Sequence, residues 1–201
     1  QIVSNALIVN DYLGQPNIDE VYWTLQAELK FYACIFLLLL VGVIKHWRVW
    51  VAIWLALAVS HAFTGHPHFL GWFISPAYSF FFIGGVSAYF LSRNSDDKIA
   101  LLIFSIALVF SCIKSFHQID GFVPAAQLGD RLVAISIVFS FFVFFYCLSR
   151  GWLNIKRMKL WTVMGAVSYP LYLLHAKAGK TAVIYLSQFM SVYWAISVVI
   201  I

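Results

Sequence analysis

Charge is what this sequence has least of. Thirteen basic and eight acidic side chains are spread over 201 residues, so charged residues make up 10% of the chain. A soluble domain carries roughly 25%. Hydrophobic residues make up 63%. A chain of this length folded in water has no interior large enough to hide so much apolar surface, so its apolar faces must meet lipid. The net charge of +5 is not a nucleic-acid signal. The basic residues sit in short connections between apolar runs, where they orient a membrane protein, and no nucleic-acid partner is expected.

Cysteine is scarce too. Cys34, Cys112 and Cys147 all lie in apolar segments and are odd in number, which reads as ordinary buried thiols. No ligand spacing supports zinc, and no metal is expected. No Gly-rich phosphate loop follows a strand, and no Gly-x-Ser-x-Gly elbow is present. Linkers, repeats, low-complexity runs and a signal peptide are likewise missing. The chain starts at Gln1 and ends inside the apolar run that begins at Val192, so it reads as a piece of a longer protein. The expectation is one all-α domain over residues 1–201.

What is present is a series of apolar segments near the roughly 20 residues a membrane helix needs. They cover 24–44, 49–63, 69–91, 99–115, 132–149, 160–186 and a last one from Val192. This predicts a polytopic transmembrane helix bundle of about seven helices, with 18% aromatic residues supplying interfacial Trp and Tyr. Charge in the connections tests the division. Lys45 and Arg48, then Arg93 and Lys98, then Arg150, Lys156, Arg157 and Lys159 occupy alternate connections. The connections between them carry few or no basic residues. The positive-inside rule puts the basic connections in the cytoplasm.

Ionisable residues in such segments cost free energy, face protein or water, and often mark function. Glu28 is the first candidate. Thr24, Glu28 and Tyr32 are four residues apart and share one helix face. The competing reading is an interfacial Glu28–Lys30 pair. The second candidate is Ser168, Tyr172 and His175, at i, i+4 and i+7 on one face. A membrane His carries protons or donates hydrogen bonds readily, because its pKa is near neutral. The competing reading is a packing His bonded to a carbonyl. Glu28 and His175 fall at similar depth from the same side, so the two faces can meet. Lys177 and Lys180 either bind an anionic group or snorkel outward.

Weaker signals have plain structural readings. His61, His66 and His68 cluster around an outer loop without Cys or acidic ligands. His117, Gln118 and Asp120 fall in the longest outer loop. Gly84-Gly85 reads as a site of close helix approach.

Three of these segments resemble a known family. Trp23-Thr24-Leu25-x-x-Glu28-x-x-Phe31-Tyr32 resembles the early signature of the acyltransferase-3 family of membrane acyltransferases. Ser168-Tyr169-x-Leu171-Tyr172-Leu173-x-His175 resembles its late segment, and the run from Phe80 to Phe90 its middle helix. The resemblance covers most of the chain but only the later part of a domain of about ten helices. It implies transfer of an acyl group, commonly acetyl from acetyl-CoA, to a hydroxyl of a sugar or lipid-linked glycan. The partners implied are an acyl donor, a sugar or glycolipid acceptor and the bilayer, with no tightly bound cofactor. It also implies a bacterial inner membrane, with a cytoplasmic donor and often an outer acceptor. By this resemblance Glu28 and His175 are catalytic, and Trp23, Thr24, Tyr32, Ser168, Tyr169 and Tyr172 bind substrate.

The chain departs from the family at two places. The family has an Arg and, about ten residues later, a His thought to be catalytic on its first helix, and no such pair precedes Trp23 here. That base is expected outside this fragment. Leu174 and Lys177 stand where the family often has Trp and Pro. Two other classes fit a polar stripe in a helix bundle: a transporter or channel component, and a non-enzymatic assembly subunit. The absence of paired broken helices and internal repeats weighs against the first.

Overall fold

A computed structural model describes residues 14, 22–64, 78–121, 123, 125–153, 163 and 179–200. Among these residues every regular element is helical and no strand occurs. The seven α-helices are α1 (Tyr22–Leu40), α2 (Trp47–Thr64), α3 (Ser79–Arg93), α4 (Lys98–Gln118), α5 (Leu128–Ser149), α6 (Lys180–Leu186) and α7 (Val192–Ile200). Short 3-10 turns, Val43–His46 and Ile119–Gly121, precede α2 and follow α4. The fold is the all-α membrane bundle that the hydropathy predicts. Among the described residues three helical stretches are long and apolar enough to cross a membrane: Val43–Thr64, Lys98–Gly121 and Leu128–Ser149.

The boundaries differ from the apolar runs for local reasons. The run 24–44 does not make one helix to its end. Gly42 adopts φ 74°, a conformation that needs no Cβ, and its amide donates to the Leu39 carbonyl. That closes α1 at Leu40. α4 runs three residues beyond 115, so His117 and Gln118 belong to a helix and not to a loop. α5 begins at Leu128, where the Asp130 carboxylate accepts from the Gln127 amide at 2.9 Å and caps the first turn. Residues 69–77 of the third run, and most of 160–186, lie outside the described residues.

The chain divides into two compact units, Gln1–Glu28 with Ile155–Ile201, and Leu29–Asn154. In the first, α6 and α7 pack on each other across a tight turn, with Ala195 fully buried. In the second, α3 and α4 form the centre, flanked by α2 and α5. Its core joins Val51 and Leu55 of α2, Phe80, Ile83 and Leu91 of α3, Ile103 and Phe104 of α4, and Phe142 of α5. Outside this core the apolar side chains face outward, among them Ile53, Leu102, Val133 and Phe141. In lipid the exterior is as apolar as the interior, so helix association rests on close packing and hydrogen bonds.

One end of the second unit gathers the basic connections. Arg48 donates to Asp97 at 2.6 Å, Arg150 donates to the Ser95 carbonyl at 2.5 Å, and Trp47 stacks on Phe90. Asp97 also caps α4, accepting from the Ile99 and Ala100 amides. It is only 8% exposed. The Arg48 guanidinium, helped by those two amides and opposed by burial, holds the Asp97 carboxyl below the usual carboxylate range. A depressed carboxylate stabilises the fold above its ordinary pKa of about 3.9. That contribution is lost as the pH falls through the lower folded value. Asp97→Asn keeps a capping acceptor but not the charge, whereas Asp97→Ala loses both. The expected order in a thermal-melt series at neutral pH is wild type, then Asn, then Ala, with Ala costing about 1–3 kcal/mol. Equal melting of wild type and Asp97→Ala would refute the assignment.

Candidate functional site

The early polar face is built on α1. Because Tyr22–Leu40 is one continuous helix, positions 24, 28 and 32 do fall on one face, one turn apart. Gln26 and Ala27 are buried, and Glu28 is exposed. Tyr32 is 61% exposed. A carboxylate on the open side of a membrane-protein helix needs water, protein or ligand as its partner, since lipid offers none. The side chains of Trp23 and Thr24 lie outside the described residues.

Phe31 explains how that face is aimed. Its ring stacks on Phe82 of α3 at 4.5 Å and 10°, and on Trp54 of α2 at 5.9 Å. Trp54 in turn donates its indole N–H to Ser79 Oγ at 3.2 Å, at the start of α3. An aromatic stack of this kind contributes about 0.5–1.5 kcal/mol beyond its buried area and fixes the rotation of α1. With Phe31 turned toward α2 and α3, the next residue, Tyr32, is carried to the open side. In the sequence Phe31 stands out only as one position of the early motif. Its pairing with residues 23 and 51 positions away left no local signal.

The late polar face, Ser168, Tyr169, Tyr172 and His175, lies outside the described residues, as does Lys177. Lys180 starts α6 and is exposed.

The other candidates resolve into packing. The His117 ring nitrogen Nδ1 lies 2.8 Å from the Ile113 carbonyl. Asp120 pairs with Arg131, which also donates to the Phe116 carbonyl at 2.7 Å and lies over the Phe116 ring. Gly84 faces Phe142 with no room for a Cβ, as close approach requires. His66 and His68 are outside the described residues. Among the described residues no group of three potential metal ligands comes together.

The decisive comparison covers the whole chain. The family model described as an acyltransferase domain matches residues 1–201. The chain belongs to the acyltransferase-3 family. No curated protein and no solved structure matches it. As a member of the acyltransferase-3 family it is an enzyme that transfers acyl groups other than aminoacyl groups. Its apolar helices make it a membrane acyltransferase, working with an acyl donor, an acceptor and a lipid bilayer.

Proposed function

We propose that this acyltransferase moves an acyl group, acetyl first among them, from acyl-CoA to a hydroxyl of a carbohydrate or lipid-linked glycan. The observation that carries this reading is the family match across all 201 residues. The composition supports it: a membrane enzyme with few polar residues suits a reaction whose donor arrives already activated. In that reaction the acceptor oxygen attacks the thioester carbonyl. A base removes the hydroxyl proton, the C–S bond breaks, and CoA leaves as the thiol once it takes a proton. The protein must orient the hydroxyl, accept its proton and steady the oxyanion.

In this reading a histidine is the base, and Glu28 holds an imidazole in the productive tautomer and orientation. His175, Tyr32 and Tyr172 donate to the carbonyl oxygen or the acceptor, and Trp23, Thr24, Ser168 and Tyr169 line the substrate path. No resident cofactor is required. The domain works as one transmembrane unit in a bacterial inner membrane. The end bearing Arg48, Arg93 and Arg150 is cytoplasmic and the donor enters there.

Release of CoA thiol tests the reaction. Membranes carrying the protein, given acetyl-CoA, are expected to release thiol in proportion to added glycan acceptor. Longer acyl-CoAs should give a lower rate at equal concentration. Thiol release that ignores the acceptor would overturn the proposal in favour of thioester hydrolysis, and a solute carried across the membrane with the thioester intact would overturn it in favour of a carrier.

A further inference from the structure

Three guanidiniums meet at one end of the second unit. Arg48 stands in the first turn of α2 and donates to the Asp97 carboxylate at 2.6 Å. Arg150 caps the C-terminus of α5 and donates to the Ser95 carbonyl at 2.5 Å. Arg93 is the last residue of α3, two positions before Ser95. All three are therefore gathered on the short connection from α3 to α4, and Lys98 opens α4 from that same connection. The stretches Val43–Thr64 and Lys98–Gly121 begin at this end, and Leu128–Ser149 finishes there. The cluster thus lies where hydrocarbon gives way to headgroups.

These guanidiniums do not trail into water. Arg48 lies over the Trp47 ring at 5.4 Å, Arg93 over Tyr89 at 5.4 Å and Arg150 over Tyr146 at 5.8 Å. Arg93 also donates to the Tyr89 hydroxyl at 3.2 Å. The rings are themselves held: Trp47 stacks on Phe90 at 4.0 Å, and Tyr146 meets Trp152 edge-on at 5.9 Å. Each arm is fixed at the level of the helix ends, so the ordering cost of presenting it to a ligand is already met. A guanidinium carries five N–H donors. Among the described residues each of the three commits one nitrogen to the protein. Arg48, Arg93 and Lys98 are exposed and Arg150 is half-buried, so donors remain for a partner.

Charge and level identify the partner. Among the described residues at this end, Lys45, Arg48, Arg93, Lys98 and Arg150 stand against Asp96 and Asp97, five positive against two negative. Toward the opposite end of the same helices, Lys114 and Arg131 are matched by Asp120 and Asp130. Asp97 is taken up by Arg48 and the two amides of the α4 cap. Trp152 is 67% exposed beside the cluster, as suits a ring at the interface between acyl chains and headgroups. We propose that this end is a docking surface for anionic phospholipid headgroups, whose phosphates rest on Arg93, Lys98 and Arg150. Bonds from a cation to a phosphate are the strong ones. A zwitterionic headgroup brings its own ammonium and gains little from a cluster of net positive charge.

Lipid binding to the purified chain in neutral detergent tests this without reference to turnover. The probes are phosphatidylglycerol and phosphatidylcholine with the same brominated tails, read by quenching of tryptophan fluorescence. At low salt phosphatidylglycerol is expected to bind at least about fivefold more tightly, the effect of about 1 kcal/mol for one cation near a lipid surface. Arg93→Gln combined with Lys98→Gln should reduce that preference below about twofold, and Arg93→Lys combined with Lys98→Arg should keep it. Salt at about 1 M, where the screening length is about 3 Å, should abolish it in the wild type. Equal binding of the two lipids by the wild type overturns the proposal, as does an undiminished preference in the Gln pair. Displacement of phosphatidylglycerol by CoA at equal concentration would assign the cluster to the phosphates of a soluble ligand and overturn it too. Should the Gln pair fail to fold, the wild-type salt series decides: a preference that survives at about 1 M salt refutes a charge-based surface.

Discussion

Glu28→Gln is expected to lower the acyl-transfer rate by about 10²- to 10⁴-fold, the range a positioned acid–base group supplies. The substitution removes one charge and keeps the shape of the side chain. Glu28 is exposed on α1, so the packing of Gln26 and Ala27 is untouched. Thermal stability should stay within about 0.5 kcal/mol of wild type, as for other surface changes. The loss should fall on kcat with KM nearly unchanged, because an orienting carboxylate acts on the transition state rather than on substrate binding. Full activity in this variant, with normal expression, would remove Glu28 from the mechanism. Phe31→Leu makes a useful companion. It weakens the stack on Phe82 and Trp54 and so disturbs the aim of the α1 face.

The largest stability effect is expected at Gly84. A Cβ there falls 2.6 Å from Cε1 and 2.8 Å from Cζ of Phe142. The ring has little freedom to withdraw. It is 6% exposed and lies against Phe104 at 5.2 Å and Phe81 at 6.5 Å. Gly84→Val should cost about 3 kcal/mol by overpacking. A melt of the detergent-solubilised protein should show a Tm lower by about 6–12 °C, at about 2–4 °C per kcal/mol for a chain of this size. Gly85 has nothing within 4 Å of its Cβ position. Gly85→Ala should therefore be neutral or stabilise by about 0.5–1 kcal/mol through helix propensity. Adding Phe142→Leu to Gly84→Val should recover part of the loss, making the pair less than additive. Equal effects at the two glycines would contradict the packing described for α3 and α5.

These expectations show what a sequence of this kind reveals. The apolar runs located α2, α4 and α5 within a few residues, because the length a helix needs to cross lipid leaves little freedom. Gly84 could be read as a contact point, because small residues have one main use between membrane helices. Asp97 could not. As one of two aspartates in a polar connection it resembles any loop charge, and its worth depends on Arg48, 49 residues away. Phe31 was hidden for the same reason. Periodicity reports which face a side chain occupies. It does not report which helix that face meets. The spacing of Thr24, Glu28 and Tyr32 puts them on one helix face, and α1 carries them so. The second face, Ser168, Tyr172 and His175 at i, i+4 and i+7, lies outside the described residues.

The measurement that bears most directly on the central claim follows the acyl group itself. The protein in its membrane is given acetyl-CoA labelled in the acetyl carbon and a hydroxyl-bearing glycan acceptor. An acyltransferase acting on hydroxyls is expected to leave the label on the acceptor as an alkali-labile ester, matched one for one by free CoA thiol. Both signals should be lost together in Glu28→Gln. Label that stays on CoA while the protein is folded and the acceptor saturating would contradict it.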